Sequence, residues 1–173
     1  MKNNCIVYVA CRMTGRCRAE QVERAEDVCD VLRTYGLTPV SPVISEGVQP
    51  IPGELVPNSR EELLGNWTRD KILISRVAHV VLLDGADEGS VGMAREHGYN
   101  RYSLWKPTVV LWNNPRGYTV ADFEDDMVAI SLSDAAEFIS LNFGTRRKRI
   151  AWRIRMLARC LPKWIVNQIY AWR

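Results

Sequence analysis

The stretch His79 to Tyr99, HVVLLDGADEGSVGMAREHGY, constrains the fold of this chain more than any other. Its centre, Val80-Val81-Leu82-Leu83, is an uncharged β-branched and aliphatic run, which is what a strand covered on both faces of a parallel sheet requires. The run breaks at Gly85-Ala86-Asp87-Glu88-Gly89, a loop of turn residues. It restarts at Ser90, a good N-cap, for a helix with Val91, Met93 and Ala94 to one side. In an open α/β sheet, ligands enter the crevice beyond the carboxyl ends of the strands. A helix N-terminus there offers free amides and a positive dipole end to an anion. Glu96 lies one and a half turns into this helix, deep enough to look back over the strand ends, where a nucleophile or general base is wanted. A serine cap followed by a glutamate is also an ordinary helix start, so this stretch alone assigns no function.

The remaining elements extend the pattern. Cys5 to Ala10 is a short apolar strand, and it leaves through the basic loop Cys11 to Cys17, which contains Arg12, Met13, Thr14, Gly15 and Arg16. From Arg18 to Tyr35, residues Val22, Ala25, Val28, Cys29, Val31 and Leu32 recur at helical spacing, with Gly36 as the stop. Leu37 to Val43 reads as a second strand, which makes a βαβ unit with a right-handed crossover and parallel strands. Ile44 to Ser59 holds Gly47, Pro50, Pro52, Gly53 and Pro57 and reads as a long loop over the strand ends.

Asn58 or Ser59 then caps a helix reaching about Val77. Its apolar members include Leu63, Leu64, Trp67, Ile72, Leu73 and Ile74, and Asp70 interrupts them. Pro107 to Trp112 gives a fourth strand, Asn113 to Gly117 a turn, Val128 to Leu132 a fifth strand, and Ser133 to Leu141 a helix. The order predicts a three-layer Rossmann-like or flavodoxin-like α/β fold, with a five-stranded parallel sheet and helices on both faces. The expected division is 1–144 for this domain and 145–173 for a basic helical tail.

Composition sets the outer bounds. At 173 residues, 47% hydrophobic and 25% charged, the chain suits one globular domain with a real core. Five cysteines without a C-x-x-C pair, beside only two histidines, argue against a disulfide framework and a zinc site. No run of about 18 apolar residues suggests a membrane span, so a cytoplasmic protein is expected. Charge is unevenly spread. Residues 146 to 173 carry nine cations and no acid, leaving 14 cations against 20 acids before them, so the tail is +9 and the core −6. The tail suits an acidic surface or phosphates.

Three stretches together resemble the nucleoside 2-deoxyribosyltransferase-like superfamily over about residues 5 to 112. YVACRMTG, Tyr8 to Gly15, looks like its first strand and phosphate loop. RDKILISRVAHVVLLDG, Arg69 to Gly85, is similar to its pattern of an Asp, two apolar turns and a strand ending near Asp-Gly. SVGMAREHGY resembles its signature of Asp or Ser, x, Gly, three residues, Glu, x, Gly. The resemblance implies that Glu96 attacks the anomeric carbon of a deoxyribose, that Asp70 assists the base or positions the sugar, and that Tyr8 orients Glu96. Such a retaining N-glycosidic reaction traps an oxocarbenium-like state on a carboxylate.

Free-nucleoside transferases of this superfamily usually carry Asp where this chain has Ser90. The 2'-deoxynucleoside 5'-phosphate N-hydrolase branch resembles it in carrying Ser. A hydroxyl at a helix N-terminus suits a phosphate that an Asp would repel. The implied substrate and phosphate contacts are Ser90, Gly92, Arg12, Met13, Thr14, Gly15, Arg16 and Asn113, with no cofactor. Cys11 stands where the superfamily usually has Gly, which would crowd a ligand, and His79 where an Asp is common. The leading expectation is a nucleotide N-glycosidase, with a free-nucleoside deoxyribosyltransferase and a non-catalytic nucleotide sensor as alternatives, in a homodimer or higher homo-oligomer.

In the tail, Ile150, Ile154, Leu157 and Leu161 form one helical stripe, Arg155 and Arg159 lie opposite, and Pro162 breaks the run. Trp164, Ile165, Ile169 and Trp172 then continue it, predicting two short amphipathic helices. Three uses stay open: packing on the acidic core or another subunit, an anionic membrane surface, and, less well matched to apolar stripes, nucleic acid.

Overall fold

The computed structural model describes residues 5–11, 16–45, 55–56, 59–84, 91–111 and 127–160. The elements run β1 (Ile6–Cys11), β2 (Arg16–Cys17), α1 (Arg18–Thr34), β3 (Thr38–Val40), α2 (Pro42–Ser45), β4 (Leu55–Val56) and α3 (Arg60–Ile72). After these come β5 (Val80–Asp84), α4 (Val91–Gly98), β6 (Thr108–Leu111), β7 (Met127–Ala129), α5 (Leu132–Phe143) and α6 (Arg146–Cys160). Five strands form one parallel sheet in the order β3-β1-β5-β6-β7, the flavodoxin-like doubly wound order. The expected α/β architecture is the one found.

Both faces of the sheet are covered, which is why its strands read as continuous apolar runs. Successive residues of a strand point to opposite faces. Val7, Val9, Val80, Leu82, Val109 and Leu111 therefore pack on Ala25, Val28 and Leu32 of α1 and on Ala135, Ala136 and Ile139 of α5. Tyr8, Ala10, Val81, Leu83 and Val110 meet Ile74, Ala78 and Met93 on the other face. The chain changes sides between β1 and β5, so that pair is the topological switch point.

Local signals account for most boundaries. Gly36 takes a left-handed φ of 72° after α1, and its amide and that of Leu37 bond back to Arg33 O and Leu32 O, closing the helix end. Ser59 and Ser131 cap α3 and α5 by accepting from the amides of Glu62 and Asp134. The second strand is shorter than expected, Thr38–Val40 in place of Leu37 to Val43. Pro42 starts α2 there, with its fixed φ suited to a first helical position. Part of the expected 44–59 loop is regular, since β4 pairs antiparallel with β2. The fifth strand ends at Ala129 because Ser131 is already the cap of α5. Trp112, the turn at Asn113 to Gly117 and the second tail helix lie outside the described residues.

Two corrections concern helices. α3 ends at Ile72 and passes into a π-helical turn, Leu73–Val77. The carbonyls of Ile74, Ser75 and Ala78 around that turn are all bound by the buried ammonium of Lys106, at 2.5, 2.9 and 2.7 Å. Burial and the nearby Arg153 push the pKa of Lys106 down to about 8. The apolar stripe expected to pack α3 is also largely outside: Leu63, Leu64 and Ile72 are exposed, while Asp70 is buried. Similarly, α6 docks through Trp152, whose ring meets Phe143 edge-on, and through Arg149, which donates to Phe143 O. Its Ile150, Ile154 and Leu157 face out. Trp152 belongs to the same core as β1 and α5, so the segment expected as a tail from residue 145 begins packed into the domain.

Candidate active site

The most informative residues in this fold are its buried carboxylates, since burying a charge costs free energy that packing does not return. Tyr8 sits on β1 and points to the α3 and α4 face, fully buried. The buried residues of α4 and the π-helical turn that follows it (Tyr99–Leu104) include Met93, Glu96, His97, Asn100 and Arg101, of which the first four are spaced as one helix stripe. Glu96 is thus carried inward on a core face. Asn100, one turn later, anchors that stripe, because its amide nitrogen donates to Lys106 O at 3.1 Å and Thr108 Oγ1 at 2.8 Å at the start of β6.

The Tyr8 hydroxyl donates to Glu96 Oε1 at 2.7 Å. Asp70 completes the group, coming from the opposite helix and within hydrogen-bonding reach of both Glu96 and Tyr8. Arg69 Nη2 lies 3.8 Å from Asp70 Oδ1. Burial, then the negative charge of Asp70, raises the pKa of Glu96 to about 8, against the opposing bond from Tyr8. Burial and the two carboxylates push the Tyr8 phenol well above its usual range, so it stays a donor. Two carboxyls this close cannot both ionise cheaply, so they keep a proton between them up to about pH 8. The pair shares that proton, and the bond donated by Tyr8 favours the ionised form of Glu96 against the burial that raises it. One ionised and one protonated carboxyl side by side form a nucleophile and an acid ready for use.

The structure therefore brings Tyr8, Asp70 and Glu96 together. Gly92 lies exposed in the first turn of α4. Arg16 is described through its backbone pairing with Val56. Arg12, Met13, Thr14, Gly15, Ser90 and Asn113 lie outside the described residues. The expected crowding by Cys11 does not arise on the Tyr8 side. Its side chain belongs to the opposite face of the sheet, with Sγ 3.9 Å from Asp84 Oδ2. His79 accepts from the amide of Ile6 at 3.0 Å through Nδ1. Burial, then Arg149, lowers its pKa, which keeps that acceptor free.

Two ion pairs had no signal in the sequence. Arg24 binds Asp84 through two bonds, 2.8 and 2.9 Å, and Arg18 at the start of α1 pairs with Glu62 at the start of α3. Asp84 and Cys11 are register partners at the ends of β5 and β1, so the Arg24 clamp fixes the stems from which residues 12–15 and 85–90 depart. Among the described residues, no three of His, Cys, Asp and Glu cluster as a metal site would require.

Replacing Tyr8 by Phe is expected to lower turnover about 10- to 100-fold, the worth of one hydrogen bond to a charged group. Without that donor Glu96 holds a proton more tightly, and loss of the pair's last proton shifts to higher pH. A pH–rate profile with its alkaline limb unmoved would show that Tyr8 does not set the charge on Glu96.

No protein-family model matches the chain, and no curated protein matches it. Among solved structures it is similar to a 2-deoxyribosyltransferase from the psychrotolerant bacterium Bacillus psychrosaccharolyticus, at 21% identity and a TM-score of 0.55, over 76% of this chain and 90% of that one. The two share a fold.

Proposed function

We propose that this chain cleaves the N-glycosidic bond of a 2'-deoxynucleoside 5'-monophosphate and releases the free base. The observation that carries this reading is the buried Tyr8–Glu96–Asp70 group beside the switch point between β1 and β5, where doubly wound sheets bind ligands. Leu63 lies two turns before Asp70 on the same stripe of α3 and is left exposed, offering an apolar wall to a planar base.

Glu96 attacks the anomeric carbon as the carbon–nitrogen bond breaks, and the bonding pair leaves with the base. Asp70 gives that base its proton. A covalent ester of Glu96 with the sugar results. Water then attacks the same carbon, returns a proton to Asp70 and frees Glu96. Tyr8 holds the attacking oxygen in place, and its hydroxyl compensates the carboxylate before attack and after release.

The structural neighbour, described as a biocatalyst for the synthesis of nucleosides, supports a second reading in which another base takes the place of water. Ser90 and the basic loop Arg12 to Arg16 support the 5'-phosphate, on charge grounds alone. The test is to incubate the protein with deoxynucleosides and their monophosphates, with and without an acceptor base, and to separate the products. Free base from monophosphates without an acceptor is the expected result. Ser90→Asp should erase the preference for the monophosphate by like-charge repulsion. Equal use of nucleosides, or product only with an acceptor, would move the assignment to transfer.

A further inference from the structure

We propose that the outward face of α6, together with Trp105, is a docking surface for an anionic lipid bilayer. At 3.6 residues per turn, Ile150, Ile154 and Leu157 fall within roughly 60° of arc, while Trp152 and Met156, which hold the helix to the domain, lie on the far side. The outward stripe is 46%, 61% and 58% exposed at those three residues, although the helix already has a buried apolar face. Arg146 and Arg153 flank the stripe on one side and Arg147 on the other, and the whole helix carries no acid.

A second element extends the same surface. Trp105 ends the π-helical turn Tyr99–Leu104 in a left-handed conformation, φ 53°, that is uncommon for a bulky side chain, and the residue stays 43% exposed. Leu104 and Trp105 line a groove of about 300 Å³ with Arg153, Met156 and Leu157 of α6. Apolar residues at the centre, tryptophan at the margin and arginines around them match the layering of a bilayer surface, in which acyl chains lie beneath headgroup phosphates.

Charge favours this occupant over the others. Two copies of the chain meeting through α6 would place arginines against arginines. Nucleic acid would use the cations and leave Ile154 and Leu157 without purpose. Among the described residues no helix is long and apolar enough to cross a membrane, so the contact is one of lying on the surface. This inference is independent of the proposed reaction.

The full chain should float with vesicles of phosphatidylglycerol and phosphatidylcholine but not with phosphatidylcholine alone, and about 0.5 M salt should weaken the binding. Ile154→Glu and Leu157→Glu should each lower partitioning by about tenfold or more, since each places a carboxylate in the apolar layer. Arg147→Ala and Arg153→Ala should cost about fivefold each. The melting temperature should stay within about 2 °C in all four, because these side chains are exposed. The proposal is overturned if the full chain ignores anionic vesicles, or if the two glutamate variants float as well as the parent. It is equally overturned if those variants melt several degrees lower or dissociate an oligomer, since the stripe would then be covered by protein.

Discussion

Replacing Glu96 by Gln is expected to reduce base release on the order of 10⁴-fold or more, the scale lost when a covalent nucleophile is removed. The same variant should be more stable than the parent at alkaline pH. In the folded chain burial, and then Asp70, raise the pKa of the Glu96 carboxyl to about 8, so the fold resists full ionisation of the pair below that pH. A group raised in this way contributes stability that is fully present below its ordinary carboxylate range. That contribution is lost as pH climbs through that range towards about 8. A glutamine at position 96 does not ionise and escapes the loss. Thermal melts at pH 5 and pH 9 should therefore converge at the lower pH and separate at the higher, by at least roughly 2–4 °C for a domain of this size. Loss of activity with a lowered melting temperature at pH 9 would mean that Glu96 serves the fold; retained activity would remove it from the reaction.

Asp70→Asn is expected to slow base release about 10²- to 10⁴-fold, as general acid catalysis is lost. Its pH profile separates a chemical role from a structural one. In the parent, activity should fall above about pH 8 as the pair loses its single proton. With asparagine at 70 burial still raises Glu96 but the second cause, the Asp70 charge, is gone, so Glu96 ionises at lower pH and position 70 has no acid proton to lose. The residual activity should then lack the alkaline limb. A substrate whose base leaves readily without protonation should recover most of the rate. If the limb persists in this variant, or the rate is unchanged with ordinary substrates, Asp70 is not the acid.

The strands and their parallel pairing were legible because a strand covered on both faces has to be apolar at every position, as Val80 to Leu83 is. Glu96, Asp70 and Tyr8 were legible as a set through a resemblance, since periodicity alone places Asp70 among apolar neighbours as an interruption. The clamp of Arg24 on Asp84 and the capping of three carbonyls by Lys106 left no trace in sequence pattern. An arginine on a helix and a lysine before a strand look alike whether solvated or buried.

What the sequence determined by itself is what acts over a few residues: the left-handed stop at Gly36, the serine caps at 59 and 131, and the spacing of apolar side chains along α1. Backbone sterics and local hydrogen bonds decide these before any tertiary contact forms. Only the tertiary structure decided that Asp70 would be inside α3 and Leu64 outside, and that α6 would dock by Trp152. Burial depends on partners far away in the chain: Tyr8 and Glu96 are 88 positions apart, and Arg24 and Asp84 are 60. α6 carries two apolar stripes, and helical spacing ranks neither. Trp152 and Met156 turn inward because a large ring against Phe143, with Arg149 bonded to the Phe143 carbonyl, gains more from burial than three aliphatic side chains do where they stand.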